Sequence, residues 1–368
     1  MTAPARRCAR CVMDTTVPGI SFAADGTCSK CTEFLASKAR RPLLDPLVRE
    51  AGLRRLVDEI RARGKGRDYD CVVGVSGGVD SSWLLVQSVR LGLRPLPVHM
   101  DNGWNSELAQ NNISNLVRGL GLDLYTHVVE WREYRGLMQA FFDADVVDVE
   151  LLYDNAMLGV NYGQAAAAGV HHVLAGTNHA TEGMLMPPSW NWHKFDRRNI
   201  ESVSRRFGGP RLRTFPAIGL AQRAWYRHVR GIRWVDLLDY LDYRKEDALR
   251  VLKAEFGYKP YPYKHYESVF TRFYQGFILP RKFGIDKRLL HLSTLVLNGQ
   301  LDRAEALRLL EGPPYPDAAS MEEDRRYFLK KMGWSEAQLD AYLARPAVPH
   351  AAYGSSYAVV NAIRGRPH

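Results

Sequence analysis

The chain has 368 residues, of which 46% are hydrophobic, 11% aromatic and 24% charged. This composition supplies a core for two domains, or for one large domain with appendages, and excludes a disordered or fibrous chain. No apolar run approaches the roughly 20 residues that a membrane helix needs. The N-terminal arginines are not followed by the apolar stretch of a secretory signal, so we expect a cytoplasmic protein that does not enter the membrane.

The net charge of +10 is concentrated at the N-terminus, because residues 1–67 carry 14 Lys and Arg against seven Asp and Glu. Such a region attracts phosphate-rich partners, including nucleic acid or a nucleotide sugar. An arginine-rich face that contacts only solvent explains the charge equally well, so charge alone does not identify a partner.

Four of the five cysteines form two Cys-x-x-Cys pairs, Cys8 with Cys11 and Cys28 with Cys31, and 16 residues separate the pairs. This spacing predicts a zinc-ribbon module over residues 1–40. Four protein ligands would close the coordination sphere, so the zinc is expected to be structural. A disulfide is disfavoured in the cytoplasm, and a redox or iron–sulfur role is the remaining alternative.

The next segments predict an α/β fold. Apolar residues recur at three- and four-residue steps before residue 61, which predicts a helical linker over residues 41–67. Strand and helix patterns then alternate, and this predicts a doubly wound parallel sheet over residues 68–220. Beyond residue 220 the strand pattern fades, so a mainly helical region is expected over residues 221–368. The predicted strands are 69–75, 93–100, 122–129 and 172–175, and predicted C-terminal helices include 234–241, 245–256, 301–310 and 321–332.

A glycine- and serine-rich turn follows the first predicted strand and opens a helix, with the sequence Val75-Ser76-Gly77-Gly78-Val79-Asp80-Ser81-Ser82. The helix N-terminal amides and the three serine hydroxyls can surround a phosphate. Asp80 would repel that phosphate unless a cation intervened, which implies Mg²⁺. The Gly-Lys-Ser/Thr ending of a Walker loop is absent, and a purely structural glycine turn is the alternative.

This Ser-Gly-Gly-x-Asp-Ser motif resembles the PP-loop ATP pyrophosphatases, which cleave ATP between the α and β phosphates. Residues 99–103 follow the second strand, where that superfamily holds adenosine. Residues 176–178, followed by Glu182, resemble the NAD synthetase pattern in which a glutamate shares the magnesium with the loop aspartate, here Asp80. The resemblance assigns ATP binding to Val75, Ser76, Gly77, Gly78, Asp80, Ser81, Ser82, His99, Asp101, Asn102, Gly176, Thr177 and Asn178.

A narrower resemblance covers most of the chain. Residues 8–16, 99–107, 264–268, 272–276 and 282–288 are similar to the N-acetyl sugar amidotransferases of bacterial surface-polysaccharide and nonulosonic acid pathways, which include lipopolysaccharide O-antigen synthesis. These enzymes convert an acetamido group to an acetamidino group. The resemblance implies ATP, Mg²⁺ and a sugar or nucleotide-sugar substrate. It also implies ammonia from a partner glutaminase and a channel protein of the histidine-biosynthesis type.

The implied chemistry places demands on charged residues. An amide carbonyl is a poor electrophile, so its oxygen would first attack the α-phosphorus and release pyrophosphate, after which ammonia would displace AMP. Positioning and charge neutralisation carry such a reaction. The expected catalytic residues are Asp80, Lys264, Lys282, Lys287 and Arg288. For each of the four cations, a solvated surface charge is the alternative.

Several alternatives stay open on the sequence. An N-terminal-nucleophile glutaminase would need Cys at position 2, where Thr2 stands, and Cys71 lies within a predicted strand, so we expect an external ammonia source. A tRNA-thiolating enzyme is disfavoured because only Cys71 is free to carry sulfur. Amidation of a sugar carboxylate uses the same adenylation step and is not distinguished, and a non-catalytic scaffold is the third alternative. Residues 184–192 are a candidate sugar-facing wall, with core packing as the other interpretation.

Overall fold

A computed structural model describes residues 6–39 and 45–357 of the chain, and it contains one five-stranded sheet. All strand pairs are parallel, and the strand order is β3-β2-β1-β4-β5. The strands are β1 Cys71–Gly74, β2 Pro95–Asp101, β3 Tyr125–Val128, β4 His172–Leu174 and β5 Arg233–Val235. The helices are α1 Ser29–Ala39, α2 Pro46–Gly64, α3 Val79–Arg90, α4 Glu107–Leu120, α5 Trp131–Asp143, α6 Leu151–Ala167, α7 His179–Glu182, α8 Arg197–Arg206, α9 Leu220–His228, α10 Lys245–Phe256, α11 Val269–Phe273, α12 Arg288–Leu297, α13 Arg303–Leu309, α14 Ala318–Met332 and α15 Glu336–Ala344. Short 3₁₀ helices occupy Pro188–Trp190, Leu237–Tyr240 and His350–Ala352, and a π-helical segment occupies Tyr274–Phe283.

Helices cover both faces of this sheet, as its buried hydrophobic strands require. Val73 packs on one side with residues of α2, α3 and α10, whereas Val72 packs on the other side with residues of α6. The strand order reverses at β1, which pairs with both β2 and β4. The predicted doubly wound α/β fold is therefore confirmed, and its ligand crevice is expected beyond the carboxyl ends of β1 and β4.

Two predicted boundaries need correction. Helix α2 is part of the main domain and not a linker, because its Leu56, Val57 and Ile60 are buried in the same cluster as β1. The sheet also extends past residue 220, since β5 pairs with β4. The predicted helix at 234–241 is a strand followed by a 3₁₀ turn, because a three-residue strand is too short to display an alternating pattern.

The cysteine-bearing N-terminal segment packs against the C-terminal helices. Arg303 donates hydrogen bonds to the carbonyl oxygens of Cys11 at 3.0 Å and Cys8 at 2.7 Å. The ring of Phe34 stacks on His179 with a centroid separation of 4.6 Å. The segment is therefore anchored to α13, which follows the sheet, and to α7, which lies between β4 and β5.

The region beyond β5 is built from helices α10 to α15, as expected, with one irregular element. The π-helical segment Tyr274–Phe283 directly continues α11 and contains Pro280. Proline cannot donate the backbone hydrogen bond of a regular α-helix, so a locally widened helix accommodates it. Within residues 6–39 and 45–357, no helix combines the length and the apolar character that crossing a membrane requires.

Candidate active site

A cavity of about 850 Å³ opens beyond the carboxyl ends of β1 and β4. The phosphate-loop residues Ser76, Gly78 and Asp80 form part of its wall. Other parts of the wall come from β2, α6, α7, α10, α12, the π-helical segment and the loop segments 184–194 and 260–268. This position is the one that a doubly wound sheet provides for ligands, and the volume falls within the usual range for small-molecule sites.

Backbone packing fixes the shape of the phosphate loop. Gly77 has a φ of +84°, and a Cβ at this position would lie 2.9 Å from the carbonyl oxygen of Ala109. The hydroxyls of Tyr258 and Tyr261 donate to the Gly77 carbonyl at 3.0 and 3.1 Å. Helix α3 begins after Gly78 without a side-chain cap, so its first amides are available to an anion.

Two of the three predicted serines shape the cavity side of the loop. The Ser76 amide donates to Ser81 Oγ at 3.2 Å, and the two hydroxyl oxygens are 3.1 Å apart. The structure corrects the prediction that the Ser82 hydroxyl contacts the phosphate. This hydroxyl is buried away from the cavity lining and has no hydrogen-bond partner in the described part of the chain. Its position one residue later on α3 turns the side chain towards the core.

The loop after β4 packs directly on the phosphate loop. A Cβ on Gly176 would lie 3.0 Å from the Ser81 amide nitrogen, so this close approach needs glycine. Thr177 lines the cavity and its hydroxyl donates to Asp236. Asn178 lies outside the lining, where its side chain caps α7 by accepting from the Thr181 amide at 2.8 Å. Only Gly176 and Thr177 of this predicted trio therefore reach the cavity.

Two carboxylates predicted to hold magnesium line this same cavity. Asp80 accepts hydrogen bonds from the Tyr243 hydroxyl and, at 3.3 Å, from the Thr181 hydroxyl. Glu182 forms an ion pair of 2.7 Å with Lys264. Mg²⁺ in nucleotide sites uses one or two carboxylates together with phosphate oxygens, so this donor set fits the ion.

No recognised motif marks Lys245, yet the structure places it near the phosphate loop. It is the first residue of α10 and lines the cavity, where burial lowers its pKa and the nearby Asp80 opposes that shift. Glu267 faces the loop from the opposite segment, because a Cβ on Gly78 would lie 3.1 Å from Glu267 Oε1. Burial raises the pKa of Glu267. Glu267 was within reach of sequence reasoning, since it lies in the quoted segment 264–268.

Each of the four predicted catalytic cations pairs with a carboxylate. Lys282 lies outside the cavity, where its Nζ donates to the carbonyl oxygen of Tyr342 at 2.6 Å and pairs with Asp145 at 2.9 Å. That prediction is wrong, because the widened helix turns Lys282 towards α15. Arg288 lines the cavity, but its guanidinium pairs with Asp286 at 2.7 Å and also binds backbone carbonyls.

Lys287 belongs to a group of five charged residues that we call the lysine–carboxylate network. Lys287 pairs with Glu150 at 2.7 Å, and Lys194 bridges Asp148 at 2.7 Å and Asp154 at 2.8 Å. Four of the five line the cavity, and Asp148 lies directly behind Lys194. Each charge of the network is therefore paired before any ligand binds.

The predicted adenosine segment reaches the cavity through other residues. Val98 and Met100 of β2 line it, whereas His99, Asp101 and Asn102 do not. His99 Nδ1 lies 2.9 Å from the backbone carbonyl oxygen just after β1, and the Asp101 and Asn102 side chains accept from backbone amides of the following turn. Successive strand residues point to opposite faces, so the alternation places Val98 and Met100 on the cavity side.

The four predicted zinc ligands meet in one buried cluster. Cys8 Sγ lies 3.7 Å from Cys31 Sγ, Cys11 Sγ lies 3.8 Å from Cys28 Sγ, and all four sulfurs are within 4.8 Å of one another. A tetrahedron with Zn–S bonds of about 2.3 Å requires sulfur separations of about 3.8 Å. The cluster therefore fits a closed, structural zinc ion.

The parallel sheet, its strand order and the loop after β1 together define a doubly wound α/β domain with a phosphate-binding type of loop at its switch point. Residues 267–364 match the family model of the LPS biosynthesis protein WbpG-like C-terminal domain. This match confirms the resemblance to a lipopolysaccharide-biosynthesis family over the C-terminal part of the chain.

Comparisons with individual proteins add partial matches. The chain is 38% identical over 76 residues to the glutamine-hydrolysing GMP synthase of Pyrobaculum aerophilum, which is 20% of this chain and 15% of that protein. NMN synthetase from Francisella tularensis superimposes with a TM-score of 0.31 and 11% identity, covering 58% of this chain and 93% of that one. NH₃-dependent NAD synthetase from Campylobacter jejuni superimposes with a TM-score of 0.28 and 15% identity, covering 57% and 96%.

Proposed function

We propose that this chain is the synthetase component of an ATP-dependent amidotransferase acting on an N-acetyl sugar. It would adenylate the acetamido oxygen and use ammonia to form an acetamidino group, with AMP and pyrophosphate as the other products. The observation that carries the proposal is that the phosphate loop and the lysine–carboxylate network line one cavity. A nucleotide and a hydroxyl-rich second substrate thus find binding groups in one space.

The loop supplies the binding groups for the leaving pyrophosphate. The amides at the start of α3 and the hydroxyls of Ser76 and Ser81 would surround the anion. Mg²⁺, held by Asp80 and Glu182 together with the phosphates, would neutralise the negative charge of the leaving group. Lys245 and Lys264 line the same cavity and are placed to stabilise the α-phosphate during transfer.

The lysine–carboxylate network supports a neutral sugar ring over a uronic acid. It contains three carboxylates against two lysines, so a further carboxylate meets repulsion and no unpaired cation. Sugar hydroxyls both donate to carboxylates and accept from ammonium groups, so they suit a network of this kind. The match of residues 267–364 to a lipopolysaccharide-biosynthesis family supports a sugar of bacterial surface polysaccharide.

We further propose that a partner glutaminase and a channel protein of the histidine-biosynthesis type deliver the ammonia in the cytoplasm. Cys71 is buried in β1, and that burial raises the pKa of its thiol. A cysteine nucleophile needs an accessible, low-pKa thiolate, so Cys71 does not fit a glutaminase role. The glutamine-hydrolysing GMP synthase that this chain matches supports an ammonia-using ligase.

The test incubates the purified chain with ATP, Mg²⁺ and ammonium chloride, together with UDP- and CMP-linked N-acetyl sugars and uronic acids. Mass spectrometry should find AMP formation that depends on one N-acetyl sugar, with oxygen replaced by NH in its acetamido group. Because the same mass change accompanies uronamide formation, fragmentation must locate it. A change at a carboxyl group, or the absence of AMP with every sugar, would contradict the proposal.

A further inference from the structure

An ammonia-using ligase needs a group that accepts a proton from the attacking nitrogen. Attack by ammonia leaves a positive charge on that nitrogen, and the amidine forms only after a proton is lost. Two carboxylates at the phosphate loop are already engaged, Asp80 by Tyr243 and Thr181, and Glu182 by Lys264. Burial raises the pKa of the third, Glu267, and so favours its neutral form. The proton acceptor must therefore be sought elsewhere on the cavity wall.

Two histidines on that wall face each other. The rings of His265 and His291 lie 5.2 Å apart between centroids, at an angle of 61°, and both residues line the cavity. His291 stands one turn after Lys287 on α12, and its Nε2 is buried without a hydrogen-bond partner among the residues that the structure describes. Buried imidazole nitrogens normally have a partner, so this atom indicates a ligand that forms a hydrogen bond with it.

The backbone at His265 is also unusual. Its φ of +65° lies in the left-handed region, which a residue with a side chain rarely adopts and which clusters at functional sites. This conformation places His265 between Lys264, which contacts Glu182, and Glu267, which faces Gly78. His265 Nδ1 lies 4.0 Å from Glu267 Oε1. The histidine pair thus adjoins the reacting end of the cavity.

Charged neighbours favour neutral imidazole rings. Burial, and then the positive charges of Lys264, Lys287 and Lys245, hold the pKa of both histidines well below its ordinary value. Glu267 is the carboxylate that faces the pair. A neutral imidazole accepts a hydrogen bond from ammonia, whereas the three surrounding lysines repel ammonium.

We propose that His265 and His291 form the ammonia subsite of this enzyme and that one of their imidazoles takes the proton from the attacking nitrogen. This inference rests on the proposed function. The nitrogen lone pair forms a bond to the adenylated carbon, and the bond from that carbon to the AMP oxygen breaks, so that AMP leaves with the electron pair. One proton of the former ammonia passes to the imidazole and then to solvent.

The test separates adenylation from nitrogen transfer in His265→Asn and His291→Gln. Asparagine tolerates a positive φ, so the first variant preserves the backbone. With the sugar and no nitrogen source, exchange of labelled pyrophosphate into ATP should stay within about twofold of the unsubstituted enzyme, because the histidines act after adenylation. Amidine formation from ammonium chloride should fall about 10²-fold in at least one variant.

Product formation with hydroxylamine in place of ammonia distinguishes loss of a proton acceptor from structural damage, because only the former should be relieved. The adduct that hydroxylamine forms is a stronger acid than the ammonia adduct and loses its proton to water more readily, so hydroxylamine should restore product formation in the variants to near that of the unsubstituted enzyme. His228→Gln, at an exposed position of α9, is the matched control and should behave as the unsubstituted enzyme in each assay.

Three results would overturn the inference. They are unchanged amidine formation in both variants, a parallel loss of exchange and amidine formation, and a loss that hydroxylamine does not relieve. Failure of the proposed function is distinguishable, because the unsubstituted enzyme would then show no sugar-dependent exchange at all.

Discussion

The phosphate loop and the lysine–carboxylate network line one cavity but are built in opposite ways. The loop is a contiguous run of residues 75–82, whose shape follows from a positive φ and a close backbone approach at Gly77. The network gathers five residues spread from Asp148 to Lys287 along the chain. The first backbone amides of α3 have no side-chain cap and can bind an anion, whereas each charged side chain of the network already has an oppositely charged partner. This difference supports the proposal that a charged ligand binds at the loop and an uncharged one at the network.

The largest expected effect comes from Asp80→Asn. It keeps the side-chain shape but removes the negative charge that fits magnesium, so kcat/KM for AMP formation should fall by about 10²- to 10³-fold. Asp68→Asn, at an exposed position before β1, is the matched control and should leave the rate unchanged. Full activity in Asp80→Asn would contradict a catalytic role for the carboxylate of Asp80 in the phosphate loop.

The cysteine cluster extends the comparison, because it too is a local motif that a ligand completes. Cys28→Ser should release the zinc, measured by elemental analysis, and lower Tm by about 10 °C, because a structural zinc stabilises only the folded state. Cys71→Ala removes the cysteine that lies outside the cluster and should keep one zinc per chain. Zinc retained in Cys28→Ser, or lost in Cys71→Ala, would contradict the assignment.

Lys287→Met tests the network. It leaves Glu150 as a buried, unpaired carboxylate, so the free energy of unfolding should fall by about 3 kcal/mol. If the network binds the sugar, KM for the sugar should also rise about tenfold while KM for ATP stays constant. The double variant with Glu150→Gln should recover part of the stability, which denaturant unfolding measures. An equal rise of both KM values would contradict the division between loop and network.

The smallest expected effect is the loss of stability at acidic pH. Although burial opposes ionisation of Asp148, Lys194 and Lys287 hold its pKa below the ordinary 3.8. A lowered folded-state pKa stabilises the protein above pH 3.8, and this contribution disappears as pH falls through the lower value. The free energy of unfolding should therefore fall more steeply with decreasing pH, below about pH 4, in the unsubstituted protein than in Asp148→Asn. Identical slopes would contradict the ion pair.

The sequence predicts the local motifs correctly. It does not predict the features of the site that form only when segments distant in the chain pack together. The parallel sheet, the loop after β1 and the cluster of four cysteines each follow from short patterns, and the structure contains all of them. Strand β5 was missed because three residues are too few to reveal alternation. Lys245 carries no motif and gains its place only through the docking of α10. Lys282 was assigned to the site because no sequence pattern reveals the direction of a side chain on a π-helical segment.

The central claim is that the acetamido oxygen attacks the α-phosphorus of ATP. An N-acetyl sugar labelled with heavy oxygen in its acetamido group tests this directly, with AMP and pyrophosphate analysed by mass spectrometry. The account predicts one labelled oxygen in each AMP and none in pyrophosphate, together with an acetamidino sugar that has lost the label. Unlabelled AMP, or label recovered in pyrophosphate, would contradict adenylation of the sugar.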